Sequence, residues 1–145
     1  VAGAALCAAT PAMVGSFDPT PTIVAALAAR GWTATQLAAM DRRLAPFLTC
    51  TFDVAPGALL IENVGTLAPL RRRGVVRALL ERALADGRRA GCRRAQLSIL
   101  LGNTAAQWAY EAVGFRVVAQ RRSAEFAAVI PGCAGLALME CGLAP

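Results

Sequence analysis

The chain has 145 residues, of which 57% are apolar and 17% charged, and a formal net charge of +6. That length predicts a single domain over residues 1–145 with its own core, and that composition excludes a disordered chain. All 15 basic residues are arginines and histidine is absent, which removes the commonest general base and the commonest metal ligand; acid-base chemistry falls to carboxylates, Tyr, Cys, backbone or water.

Residues 1–8 read as a buried strand ending near Thr10 and Pro11: the stretch has no basic leader and is too short to cross a membrane, so neither a signal peptide nor an anchor is expected. Residues 15–19 are turn material. Pro21 and Gly31 bracket a first helix through Ile23, Val24 and Leu27. Thr33 and Gln36 have the spacing of a capping box, and Leu37, Met40 and Leu44 continue a second helix that Pro46 should end. Leu48 to Phe52 look strand-like until Asp53, Pro56 and Gly57 break the pattern.

Residues 58–67 read as a central strand, in which Gly65 is either a packing accommodation or a bulge. Strand alternation puts Glu62, Val64 and Thr66 on one face. The turn Arg71-Arg72-Arg73-Gly74-Val75-Val76 follows, and Val76, Leu79, Leu80, Ala83 and Leu84 then recur at helical spacing up to about Gly91. Arg77, Glu81, Arg82, Asp86, Arg88 and Arg89 fall mostly on the other, solvated face. Residues 95–100 are a short buried strand, parallel to the central one by its crossover. Asn103 or Thr104 caps the next helix and Gly114 ends it. Residues 115–121 and 135–140 close as an antiparallel pair, joined by a connection holding Phe126, Pro131 and Gly132.

Cys7, Cys50, Cys92, Cys133 and Cys141 make an odd count with no Cys-x-x-Cys pair and no His to complete a metal set, so buried reduced thiols in a cytoplasmic protein are expected, with no metal. The excess of positive charge between Arg71 and Arg94 implies an anionic partner. Backbone amides at the helix start after Gly74 have no internal acceptor, and with three neighbouring guanidinium groups they suit a pyrophosphate. The arginines lack interleaved aromatics or a groove-reading motif, so no nucleic-acid partner is expected.

Arg71 and Gly74, followed by Asn103 and Ala106 and then by Tyr110-Glu111-Ala112-Val113-Gly114-Phe115, resemble the GNAT superfamily of acetyl-CoA-dependent N-acetyltransferases. Its first signature reads Arg or Gln, two residues, Gly, one residue, then Gly or Ala, between a strand and a helix; Val76 departs from it at the last small position. Its second reads Asn, two residues, Ala, and later Tyr-Glu-x-x-Gly-Phe.

The resemblance implies an α/β fold, a mixed and splayed sheet of five or six strands with three or four helices, lacking the usual first strand-helix-helix-strand portion. It implies acetyl-CoA as acetyl donor, held by the backbone of Val64, Gly65 and Thr66, by Arg71, Arg72, Arg73, Gly74, Val75 and Val76, and by Asn103 and Ala106. The acceptor would be a small-molecule or peptide primary amine. Glu62 would draw a proton from that amine through water, or is a structural carboxylate paired with an arginine. Tyr110, the single tyrosine, would protonate the departing thiolate, or is a half-buried packing residue. Trp32 and Trp108 read as packing or rim aromatics, and Phe126 as either a packing residue or part of the acceptor cleft. The alternative to a working enzyme is a non-catalytic acyl-CoA-binding module or incomplete GNAT domain. An apolar first strand at a sheet edge favours a homodimer.

Overall fold

Gly57 turns the chain with φ 76° into β2 (Ala58–Thr66), where Ala58, Leu59 and Ile61 are buried. This strand organises the rest of a computed structural model that describes residues 4–9 and 20–143. β1 (Ala4–Ala9) pairs antiparallel with β2. The expected strand at 1–3 and the turn at 15–19 lie outside the described residues.

α1 (Thr20–Ala29) and α2 (Ala34–Leu48) connect β1 to β2. The capping box at the start of α2 is present: the Thr33 hydroxyl accepts from the Gln36 N–H, and the Gln36 side chain accepts from the Thr33 N–H at 2.8 Å. Pro46 does not end α2; the helix runs on to Leu48. It stops there because the hydroxyls of Thr49 and Thr51 donate to the carbonyls of Pro46 and Leu48 at 2.7 and 2.8 Å. These local bonds overcome the β-propensity of the segment, so the strand expected over Leu48–Phe52 is instead the last residue of α2, a turn at Thr49 and Cys50, and a loop.

After a single 3-10 turn at Ala68–Leu70 comes α3 (Val75–Arg89). Its expected apolar face is confirmed, with Leu80, Ala83 and Leu84 buried and Val76 packed beside them. Burying a side chain such as Leu80 contributes about 1.5–3 kcal/mol. Gly87 lies on the same face, where an added Cβ would sit 2.9 Å from Leu59 Cδ2, so helix and strand approach closely. The other face carries exposed ion pairs, Arg77–Glu81 and Arg82–Asp86, with Arg89 also on Asp86.

β3 (Arg94–Leu100) runs parallel to β2, and α4 (Thr104–Glu111) leads to β4 (Arg116–Arg122). The connection after β4 that holds Phe126, Pro131 and Gly132 contains a short helix for which sequence gives no expectation, α5 (Ala124–Val129), capped by Ser123. β5 (Gly135–Gly142) returns between β3 and β4, antiparallel to both, giving the order β1-β2-β3-β5-β4. The sheet thus has five strands as expected, and the described residues form five α-helices rather than three or four.

The main core gathers Leu59, Ile61, Leu80, Leu84, Leu97, Phe115 and Met139. A smaller one joins Cys50, Phe126, Cys133 and Leu136, with the Phe126 ring stacked 5.2 Å from that of Phe47. Cys50, Cys92, Cys133 and Cys141 are buried free thiols, and burial pushes the Cys141 thiol up.

Candidate active site

The two parallel strands separate part-way along. β2 and β3 pair only from Ala58–Arg94 to Leu60–Gln96, after which β2 keeps β1 alone and β3 keeps β5. Splitting is assisted by a bulge in β2. Cys7 pairs with Glu62 and Ala5 with Gly65, so Asn63 and Val64 together oppose one residue of β1, and Asn63 takes φ 52°.

The bulge therefore lies at Asn63–Val64 and not at Gly65, because Asn tolerates the left-handed region that the extra residue needs. It also breaks the alternation. Val64 packs with the Ile61 face against the main core, so Glu62 and Thr66 come out on opposite faces, contrary to the sequence reading.

Two cavities flank the split. One, of about 800 Å³, is bordered by Val64, Gly65 and Thr66, by Arg71, Arg72, Gly74, Val75 and Val76, and by α4. The other, of about 620 Å³, lies over Glu62, Asn63 and Ser98 and is walled by the end of α2 and the loop behind it. Val64, Asn103, Ala106 and Tyr110 border both, so the cavities meet at these four residues.

The turn before α3 explains the first cavity. Arg72 (φ 61°) and Gly74 (φ 76°) both take the left-handed region, which folds the arginine run back on itself. Arg71 is held by its Nε donating to the Thr66 carbonyl at 3.4 Å. The first intrahelical bond of α3 is from Ala78 N–H to Gly74 O, and no side chain caps the helix. The N–H groups of Val75, Val76 and Arg77 are consequently free to take an anion.

Beside them the Thr66 hydroxyl is buried without a partner, and an added Cβ on Gly65 would meet nothing within 4 Å. An orphan donor, an open glycine edge and an uncapped helix start fit a phosphorylated, amide-bearing arm. Val76 both packs on the core and borders this groove. Arg73 is exposed and does not border it, whereas Arg77, read from sequence as part of the solvated face, does.

Asn103 caps α4, its Oδ1 accepting from Ala106 N–H at 3.2 Å. That bond fixes the helix start against the split. About two turns after Asn103, Tyr110 is 8% exposed, edge-on to Phe115, and burial raises its hydroxyl above the ordinary phenol value. Phe126, fully buried, is a packing residue and not part of the cleft. Trp32 and Trp108 are 40% and 70% exposed, and neither borders the two joined cavities. Sequence reasoning missed Phe47, Thr51, Phe52 and Val54 as cleft walls, since the loop that carries three of them has no periodicity to read.

Residues 19–115 match the model of the acetyltransferase (GNAT) family. The chain belongs to the GNAT acetyltransferase family. Solved structures with the same fold include the ribosomal-protein-S18-alanine N-acetyltransferase of Escherichia coli (23% identity, TM-score 0.52, covering 64% of this chain and 59% of that one). A GCN5-related N-acetyltransferase from Kribbella flavida is similar at 26% identity and TM-score 0.53, over 65% of this chain and 55% of its own. The NatC complex bound to Gag peptide and CoA is similar at 22% identity and TM-score 0.51, over 60% and 52%. The chain thus spans somewhat more than half the length of these GNAT structures. No curated protein matches its sequence.

The mixed sheet with flanking helices matches the fold of these GNAT structures. Among the described residues of this GNAT chain, no group of His, Cys, Asp and Glu could hold a metal ion, and no helix is long and apolar enough to cross a membrane.

Proposed function

We propose that the chain transfers an acetyl group from acetyl-CoA to a primary amine by direct attack. Acetyl-CoA, when bound, supplies an activated thioester. The uncapped start of α3 with Arg71 and Arg72 would hold its phosphates, and the β2 edge at Val64, Gly65 and Thr66 would take the amide-bearing arm. Asn103 and Ala106 border that path where it reaches the split.

Glu62 stands in the second cavity and would take the amine proton through water, leaving a neutral nucleophile. Tyr110 borders both cavities and keeps its proton because burial disfavours the phenolate; it would donate to the departing thiolate. The observation that carries this reading is the meeting of a phosphate-suited groove and a carboxylate-bearing cleft at Tyr110.

The test is calorimetric titration with acetyl-CoA, followed by thiol release in the presence of an amine panel. Binding with amine-dependent release is expected. No binding by folded protein removes the proposal.

A second reading, an acyl-CoA-binding module without turnover, is favoured by Val76, whose branched side chain borders the groove where the family signature has a small residue. It expects binding without amine-dependent release.

A further inference from the structure

We infer that the amine acceptor is a monocation on an apolar, preferably aromatic, body. The inference rests on the acetyl-transfer reading for its purpose, but its argument is the cleft itself. Phe47 from the end of α2, Phe52 and Val54 from the following loop, and Ile130 after α5 line one wall, and each is half-buried, retaining apolar surface that faces the cavity. Among the described residues that border the cleft, Glu62 is the single charged group; Thr51, Asn63, Ser98, Asn103 and Tyr110 are neutral.

One carboxylate matches one ammonium. A second or third positive charge would have to lose water against Phe and Val side chains with no counter-charge, which is costly. A flat apolar body, in contrast, gains from leaving water, and about 620 Å³ lies within the range of small-molecule sites. The wall is also held in place. Arg121 donates to the Thr51 carbonyl and lies 4.7 Å over the Phe52 ring, so its charge is committed outside the cleft.

The experiment measures binding of 2-phenylethylamine, ethylamine, spermidine and kanamycin to the full chain, without and with saturating CoA. Wild type, Glu62→Gln, Phe52→Ala and the milder Phe52→Leu are compared, with circular dichroism to show folding. The aromatic amine should bind about tenfold to a hundredfold more tightly than ethylamine, and more tightly than either polycation. Phe52→Ala should remove most of that advantage, Phe52→Leu less of it, and Glu62→Gln should weaken all the amines.

Equal or tighter binding of spermidine or kanamycin overturns the inference. So does an aromatic preference that both Phe52 variants leave unchanged, or an absence of aromatic-amine binding with and without CoA. A parallel acetyl-CoA titration separates the two readings. Its failure beside intact amine selectivity removes the acetyl-transfer proposal, whereas donor binding beside polycation preference removes only the acceptor class.

Discussion

The Gln96 side-chain carbonyl accepts a hydrogen bond from the Ala55 N–H at 2.6 Å, joining β3 to a loop 41 residues earlier in the chain. Gln96 is 3% exposed, and its amide donates to Glu140 at 3.0 Å, which in turn receives Arg94 at 3.2 Å. The loop so anchored carries Phe52 and Val54 to the cleft.

Gln96→Leu keeps much of the volume but leaves the Ala55 N–H and one Glu140 oxygen without their partner. The expected cost is about 1–3 kcal/mol, read as a lower urea midpoint at unchanged slope. Because the groove beside Arg71 does not include this loop, acetyl-CoA affinity should hold while KM for the amine rises. An equal loss of both would mean that the anchor serves the whole fold and not the cleft wall.

Gly135 opens β5 opposite Arg122 of β4. An added Cβ would lie 1.9 Å from the Arg121 carbonyl oxygen and 2.9 Å from Arg122 Cα, both backbone atoms that cannot rotate away. Gly135→Ala should therefore cost about 3 kcal/mol, the upper end for overpacking, measurable as lost soluble yield or a lowered Tm. Gly65→Ala serves as its contrast. Nothing stands near that Cβ, so stability should hold, while any ligand lying along the β2 edge would be pushed away.

Much of this architecture was legible because periodic burial leaves a mark in sequence. The face of α3 through Leu80 and Leu84, the cap at Asn103 and the antiparallel closure by β4 and β5 follow from spacing and turn residues alone. What could not be read depended on long-range partners. Glycine is the usual sign of a bulge, which makes Gly65 the candidate in sequence, yet the register with β1 places the bulge at Asn63–Val64. That extra residue reversed the face assigned to Thr66 relative to Glu62. The cleft wall was invisible for a similar reason: Phe52 and Val54 sit in a loop whose position is set by Gln96 and Arg121, 41 and 70 positions away.

The three turn arginines are not equivalent. Arg71 and Arg72 border the groove and Arg73 does not. A guanidinium bonded to a phosphate contributes about 1.5–3 kcal/mol when it lies in a shielded site, and less at these exposed positions. Arg71→Ala and Arg72→Ala should each raise the acetyl-CoA Kd by roughly fivefold to tenfold, and Arg73→Ala by less than about twofold, with the difference shrinking as salt rises. Calorimetry at two salt concentrations checks this. Equal losses at all three positions would indicate diffuse attraction and not a built cradle.

Tyr110 gives the sharpest test of chemistry against packing. Burial raises its pKa, so the neutral hydroxyl is the form present at neutral pH, and that is the form a proton donor needs. The linkage has a definite sign. Because the folded value is raised, the stability contributed by the protonated hydroxyl is present below the unfolded value of about 10 and is lost as pH climbs through the folded one. Any alkaline fall in kcat caused by Tyr110 should accordingly begin above about pH 10. Tyr110→Phe keeps the edge contact with Phe115 and removes only the hydroxyl. It should lower kcat by about 10²–10⁴-fold, with less than a twofold change in acetyl-CoA Kd, and should abolish that alkaline limb. A variant with kcat within about threefold of wild type would leave Tyr110 as a packing residue and shift thiolate protonation to water.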